Sequence, residues 1–496
     1  MTAYSDLAAH FGKISALSNA IGILHWDNAA MMPKGAADTR AESMALLAVL
    51  RHDMATDARV GDLLDAADGE GGLGPWEMAN IREIRRLWTV ETALPADLVA
   101  ATSKAVSACE MRWRTAREES DFVGLLPFLA EVLALQREIG RAKGEKLGLA
   151  PYDALLNDYE PGGRAATIDA LFDDLAGFLP GFLDEVLAVQ ARRPADPPLE
   201  GPFPVETQRS LGLRLMTALG YDFERGRLDV STHPFCGGAD NDVRITTRYD
   251  EADFTSALMG VLHETGHALY EQGRPAGYMN QPVGAARGMS VHESQSLLIE
   301  MQACRSAEFI AFAGPIMREA FGGSGPAWEP EALRRRYTRV ERGFIRVDAD
   351  EVTYPAHVIL RYRLERAMIA GDLALADLPG AWNDGMRGLL GVTPPNDRLG
   401  CLQDIHWPSG GWGYFPTYTL GALTAAQLFD AATTADPDIL PGIGRGDFSA
   451  LVAWLRANVH GQGSLLETDE LLTRATGRPL DADVFKRHLK RRYLGA

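Results

Sequence analysis

Cysteine is scarce, with 4 in 496 residues, at positions 109, 236, 304 and 401. None has the short paired spacing that a thiolate zinc site or a redox dithiol requires, and so few exclude a disulfide scaffold. Cys109, Cys236, Cys304 and Cys401 read as reduced, mostly buried thiols of a cytosolic protein. Positive charge is also in short supply: 49 Lys+Arg face 67 Asp+Glu, for a net charge of -18. That balance disfavours nucleic acid and anionic membrane surfaces, which are held by neutralising phosphates. No stretch reads as apolar enough to span a bilayer, and Met1 to Leu24 lacks the basic start and apolar run of a secretory leader. A cytoplasmic location is the expectation. What is present, 46% hydrophobic and 23% charged residues, is the composition of a folded protein with a large core, which excludes disorder and collagen.

Helical periodicity dominates the chain. Ile168, Leu171, Phe172 and Leu175 fall at i, i+3, i+4 and i+7, and Leu129, Val132 and Leu133 repeat the pattern in a segment expected to open near Pro127. The fold class is therefore mostly α. Residues 193–204 form the clearest linker, because Pro194, Pro197, Pro198, Pro202 and Pro204 stop any helix. We read it as a surface connection within one catalytic body over 1–496. That body has an N-terminal helical part to about 200, a site-bearing part over about 205–430, and closing helices over about 431–496. Strand signals are few: Leu228 and Val230, then Val243, Ile245 and Thr247, alternate on either side of Cys236-Gly237-Gly238. They predict a small antiparallel ribbon turning at the glycines.

The sharpest signal is His263-Glu264-Thr265-Gly266-His267. Two histidines four apart on a helix project from one side and can bind a single divalent ion. At 100° per residue they lie about 140° and 180° from Leu258, which leaves Leu258, Val261, Leu262 and Leu269 for the core. Chance produces this pattern in only about 0.02 of chains of this composition. Catalytic zinc takes three protein ligands and keeps a fourth position for water, so another ligand is needed. Glu271 is about 12 Å along the helix from His263, too far to share the ion. A third histidine after a glycine is also excluded, since Tyr270 and Gly273 occupy those places. Ser290-Val291-His292-Glu293-Ser294-Gln295-Ser296 is the best remaining segment. There Glu293 and Glu300 are alternatives of equal standing, with His292 behind them. Glu293 also has the spacing of a capping box with Ser290.

In this setting the sequence resembles the carboxypeptidase Taq family of zinc metallocarboxypeptidases. The motifs run in order: His233-Pro234-Phe235, Asp242-Val243-Arg244-Ile245-Thr246, the histidine helix, His292-Glu293-Ser294-Gln295, Ile345-Arg346-Val347-Asp348-Ala349-Asp350, and Gly400 to Trp407 with Asp404 and His406. His25-Trp26-Asp27 and Tyr152 to Leu156 extend the likeness over essentially the whole chain. The resemblance implies a helical body with a long central groove, a homodimer, and Glu293 as third zinc ligand. Leu297 stands where some members carry Arg.

The expected reaction is removal of single amino acids from peptides with a free C-terminus. Zinc activates water, with cobalt or manganese as possible substitutes, and Glu264 serves as general base. The resemblance offers Arg346 as the fork for the terminal carboxylate; the competing reading is an ion pair with Asp348, Asp350 or another acid. His233 and either Tyr414 or Tyr418 are candidate donors to the carbonyl oxygen. Arg244 is expected to meet substrate at the ribbon's edge or to pair with Asp242 or Asp240. His406 and Trp407 support the wall. Two rival readings are an oligopeptidase cutting internal bonds and, from a different class, a non-catalytic helical binding protein that keeps the metal for structure. Glu264 argues against the second, since a structural site needs no base.

Overall fold

The computed structural model describes residues 2–193 and 195–495. Helices open the chain: α1 (Ala3–Ala30), α2 (Ala37–Ala55), α3 (Ala58–Asp68), α4 (Pro75–Thr92), α5 (Ala96–Glu119), α6 (Phe122–Leu147), α7 (Pro151–Leu156), α8 (Ala165–Ala191) and α9 (Val205–Leu219). Strands β1 (Gly226–Val230), β2 (Phe235–Ala239) and β3 (Asp242–Thr247) follow. Next come α10 (Phe254–Gly273) and α11 (Gly288–Leu297), the latter running directly into a π-helical segment, Leu298–Ala303. The remainder is α12 (Ala307–Ala320), α13 (Pro330–Tyr337), α14 (Tyr354–Ala370), α15 (Leu378–Leu390), α16 (Pro416–Ala435), α17 (Ile439–Ile443), α18 (Ser449–Asn458), α19 (Thr468–Thr476) and α20 (Ala482–Leu489). A second π segment, Lys490–Leu494, closes the described chain.

The periodic faces become the core. On α8, Ile168, Phe172 and Leu175 are buried, and on α6 so are Leu129, Val132 and Leu133. α6 starts earlier than Pro127 suggests. Asp121 caps it by accepting from the Gly124 amide, so the helix begins at Phe122 and Pro127 falls one turn inside. Two large apolar clusters fill the body, one drawing on residues from Leu98 to Tyr493 and the other from Phe203 to Leu472, and Ala422 of α16 packs against both. The proline-rich connection is irregular over residues 195–204, while Pro194 lies outside the described residues. It is tied down: Asp196 pairs with Arg335 at 2.6 Å and Phe203 is buried against Phe254.

The sheet corrects the ribbon. Its order is β1-β3-β2, with β1 parallel to β3 and only β2 antiparallel. Cys236-Gly237-Gly238 is strand, not turn: it pairs with Ile245, Arg244 and Val243. Gly238 is needed for its own geometry, since its φ is +109° and a Cβ there would lie 2.1 Å from the Asp242 carbonyl oxygen on β3, and α1 crosses the strand at a glycine of its own. A Cβ on Gly22 would lie 2.1 Å from the Gly238 carbonyl oxygen, so only bare backbone fits. With β2 occupying one flank of β3, β1 takes the other and runs parallel to it.

A second correction concerns α1. One 18-residue window of this helix reaches a mean hydropathy of 1.2, enough by length and composition to cross a membrane, although no continuous apolar run is present. Scattered alanine, isoleucine and leucine raise the average between polar residues such as Asn19 and Lys13. Only 17% of that window is buried, and the helix lies along α2, α3 and β2.

Candidate metal centre

α10 presents its apolar residues to two cores. Leu258, Leu262 and Leu269 enter the larger cluster, and Val261 and Ala268 pack on the sheet with Leu228 and Ile245. The remaining direction carries His263, Glu264 and His267 toward α11. The two helices approach so closely that a Cβ on Gly266 would stand 2.4 Å from the Gln295 carbonyl oxygen. That approach brings Glu293 Oε2 to 3.3 Å from His267 Nε2 and 3.8 Å from His263 Nε2. One ligand atom from each of His263, His267 and Glu293 lies within 4.8 Å of the other two. Two imidazole nitrogens and a carboxylate suit a divalent ion such as zinc, with a position left for water.

The backs of these side chains support the same reading. Glu300 does not join the three; its Oε2 sits 2.9 Å from His263 Nδ1, on the far side of the ring, and its other oxygen binds Arg305. His267 Nδ1 meets His292 Nδ1 at 2.6 Å, and His292 Nε2 meets Glu271 at 2.8 Å. If His292 donates from Nε2 to that carboxylate, its Nδ1 accepts from His267, which leaves the His267 Nε2 lone pair free for a metal. Glu271, too distant to be a ligand, thus anchors a ligand's partner. The capping box is not formed. α11 begins two residues before Ser290, and the Ser290 amide donates to Glu160, which frees Glu293.

Charge in the cluster is tightly coupled. Burial pulls His267 down to about 4. Burial opposes charge on His263 as well, but Glu293 and the Glu300 hydrogen bond win and raise it to about 10, so a cation entering must displace a proton there. Glu264, one residue from a ligand but not among the three, is pushed up to about 7 by burial, with Glu293 adding to the effect and His263 opposing it. A carboxyl poised there can hold a proton between steps.

The other expected residues are placed unequally. His233 is exposed in the loop between β1 and β2, and its side chain makes no hydrogen bond among the described residues. Arg244 is on β3, the central strand, so the expectation that it works at a sheet edge is corrected. It forks onto Asp242 at 2.8 and 2.5 Å and stacks 4.4 Å above buried Trp26. Arg346 is buried and binds Asp404 through Nε and Nη2 at 3.1 and 2.8 Å, the pair with another acid. Its Nη1 touches the Tyr354 hydroxyl at 3.3 Å, and its plane lies 4.7 Å from the Tyr418 ring. The Tyr418 hydroxyl is engaged by His406 Nε2 at 3.1 Å. Tyr414 packs edge-on to Tyr159 and Tyr418, and its phenol is held strongly neutral by burial, with Tyr418 and Glu293 adding.

Sequence reasoning missed Arg361 and Tyr354. Arg361 is fully buried on α14 and binds Asp404 Oδ2 at 2.6 Å, and its Nη2 has no partner among the described residues. One carboxylate therefore faces two buried guanidiniums, which leaves a surplus positive charge behind Tyr354 and Tyr418. Asp404 lies in the Gly400 to Trp407 motif, and the signal available for Arg361 is its place four residues after His357, directly following Val358, Ile359 and Leu360. Trp407 donates to buried Glu365, which also accepts from Tyr152, and this fixes the wall behind the tyrosines.

A family model described as carboxypeptidase Taq (M32) metallopeptidase matches residues 6–493. Thermostable carboxypeptidase 1 of Thermus thermophilus is 40% identical, over 99% of this chain and 98% of that protein. Among solved structures, metallocarboxypeptidase 1 of Trypanosoma cruzi superposes with a TM-score of 0.97 at 41% identity, covering 99% of each chain. An M32 carboxypeptidase from Deinococcus radiodurans gives 0.94 at 38% identity, over 99% of this chain and 98% of that one.

Proposed function

Because the chain belongs to the carboxypeptidase Taq (M32) metallopeptidase family, we propose a specific division of labour for its site. The protein is a metallocarboxypeptidase, a hydrolase of peptides. Our reading is that it removes one C-terminal residue at a time. His263, His267 and Glu293 hold a divalent ion, zinc in our assignment, and the convergence of their ligand atoms carries this reading. Bound there, the ion supplies Lewis acidity that makes water more acidic and polarises the scissile carbonyl.

The chain's own groups do the rest. Glu264 takes the proton of the attacking water and delivers it to the departing amine nitrogen; its elevated proton affinity suits both halves of that task. Tyr414, neutral and within the field of Glu293, is the donor we assign to the developing oxyanion, ahead of Tyr418, whose hydroxyl is bound to His406. The surplus charge of Arg346 and Arg361 over Asp404 attracts the substrate carboxylate, and we assign the contact to Arg346, the less deeply buried of the two. His233 and Arg244 we place along the peptide on the sheet side. Internal cleavage is not favoured, since the full-length relatives are carboxypeptidases.

All four cysteines are unpaired, which suits a reducing compartment, and we place the protein in the cytoplasm. We also propose a homodimer; exposed Leu46, Val49 and Leu50 on α2 offer apolar surface of the right character. Metal analysis beside a chelator-and-restore assay tests the central reading. Activity lost to chelator and restored by one equivalent of zinc supports it, and activity indifferent to chelator overturns it.

A further inference from the structure

Glu300, the partner of His263 Nδ1, does not sit on an ordinary helix. It belongs to the π segment Leu298–Ala303, whose i to i+5 bonding is rare and has to be held open by its surroundings. The end of that segment is closed by the C-terminus of the chain. Arg492 donates to the carbonyls of both Met301 and Gln302, the second at 3.0 Å. The same guanidinium binds Glu351 at 2.9 Å. Glu351 is buried and also accepts from Gln302 Nε2 at 2.9 Å, His488 Nε2 at 2.9 Å and the Tyr493 hydroxyl at 3.1 Å. Four groups thus converge on one carboxylate, and two of the bonds they organise grip the residues immediately after Glu300.

We infer that Arg492, seated by Glu351, is a positioning residue for the metal centre: it locks the π turn that aims Glu300 at His263 Nδ1. The inference rests on His263 being a ligand. A carboxylate on the back of a ligating imidazole fixes its ring and tautomer and raises its basicity, so what holds the carboxylate also governs how firmly the ion is kept. Without Arg492 the two carbonyls lose their donors, the turn relaxes toward the i to i+4 pattern, and Glu300 rotates off the imidazole. Arg305, bound to the other Glu300 oxygen and to the Tyr337 carbonyl, holds the side chain but not this stretch of backbone.

The test is Zn2+ release from the loaded full-length protein into excess chromogenic chelator, a readout independent of peptide turnover. Glu300→Gln is expected to speed release about 10- to 100-fold and Arg492→Met about 3- to 10-fold. In the double variant release should be no faster than in Glu300→Gln alone, because Arg492 acts through Glu300. Arg492→Lys keeps the charge opposite Glu351 but cannot fork onto both carbonyls. It should fall between wild type and Arg492→Met, and it carries the test if the methionine variant does not fold. Release unchanged in both Arg492 variants, or a full extra factor on top of Glu300→Gln, overturns the inference. His263→Ala separates this from the underlying reading: if that variant still holds one equivalent of zinc as tightly as wild type, it is the ligand assignment that fails.

Discussion

Gly266→Ala is the sharpest mechanical probe of the site. In the helix motif this glycine is flanked by Thr265 and His267, and nothing about ligand spacing requires it. The structure does. An alanine Cβ would lie 2.4 Å from the Gln295 carbonyl oxygen and 2.6 Å from Ser296 Cα, whereas ordinary contact begins at 3.4 Å. Both obstacles are backbone, so no rotamer change relieves them; α10 and α11 must separate by about 1 Å. Overpacking of that kind costs about 1–3 kcal/mol of stability. The larger effect falls on the ligands, since His263 and His267 ride on one helix and Glu293 on the other. Ligand distances in metal sites vary by only about 0.2 Å, so zinc affinity should fall by about 10- to 100-fold. Competition with a calibrated chelator measures this, and thermal unfolding of the metal-free protein measures the packing cost separately. A variant that folds and binds zinc within twofold of wild type would refute the claim that this close approach builds the site.

Three further outcomes are expected. Glu264→Gln should retain one equivalent of zinc while kcat falls by about 10²- to 10⁴-fold, and near-normal turnover in the metal-loaded variant would remove Glu264 from the chemistry. Arg346→Met should lower kcat/KM for free-acid peptides far more than for their amides; equal losses would mean that Arg346 serves only its pair with Asp404. Asp404 is held far below its usual range, because burial, which would raise it, is outweighed by Arg361 and Arg346. Its contribution is therefore complete above the unfolded value near 3.8 and is lost as pH falls below it. Unfolding followed across that window should show a steep loss of stability in the wild type. Asp404→Asn should flatten that loss and cost about 3–5 kcal/mol at neutral pH by stranding two buried arginines.

What could be read in the chain follows from which signals are local. The histidine helix was legible because ligand spacing and the apolar back share one 3.6-residue period. Glu293 and Glu300, seven apart, fall on one helix face, so spacing alone could not separate them; the resemblance singled out Glu293, and it took α10 to show one carboxylate beside both Nε2 atoms and the other behind an Nδ1. The glycines at 237 and 238 look like a turn in the sequence because a positive φ and a close backbone contact inside a strand, here Gly238 against the Asp242 carbonyl, call for the same residue that a turn does. Arg346 pairs with an acid 58 positions away, and the π turn under Glu300 is finished by the last residues of the chain. Neither relation leaves a periodic trace.

The central claim is metal-dependent removal of C-terminal residues one at a time. Its most direct test is mass analysis of the products when zinc-loaded protein meets a short peptide, once with a free C-terminus and once amidated. A ladder shortened one residue at a time from the free C-terminus, with the amide left largely intact, is the predicted result. Internal fragments, or equal cleavage of both peptides, would contradict it.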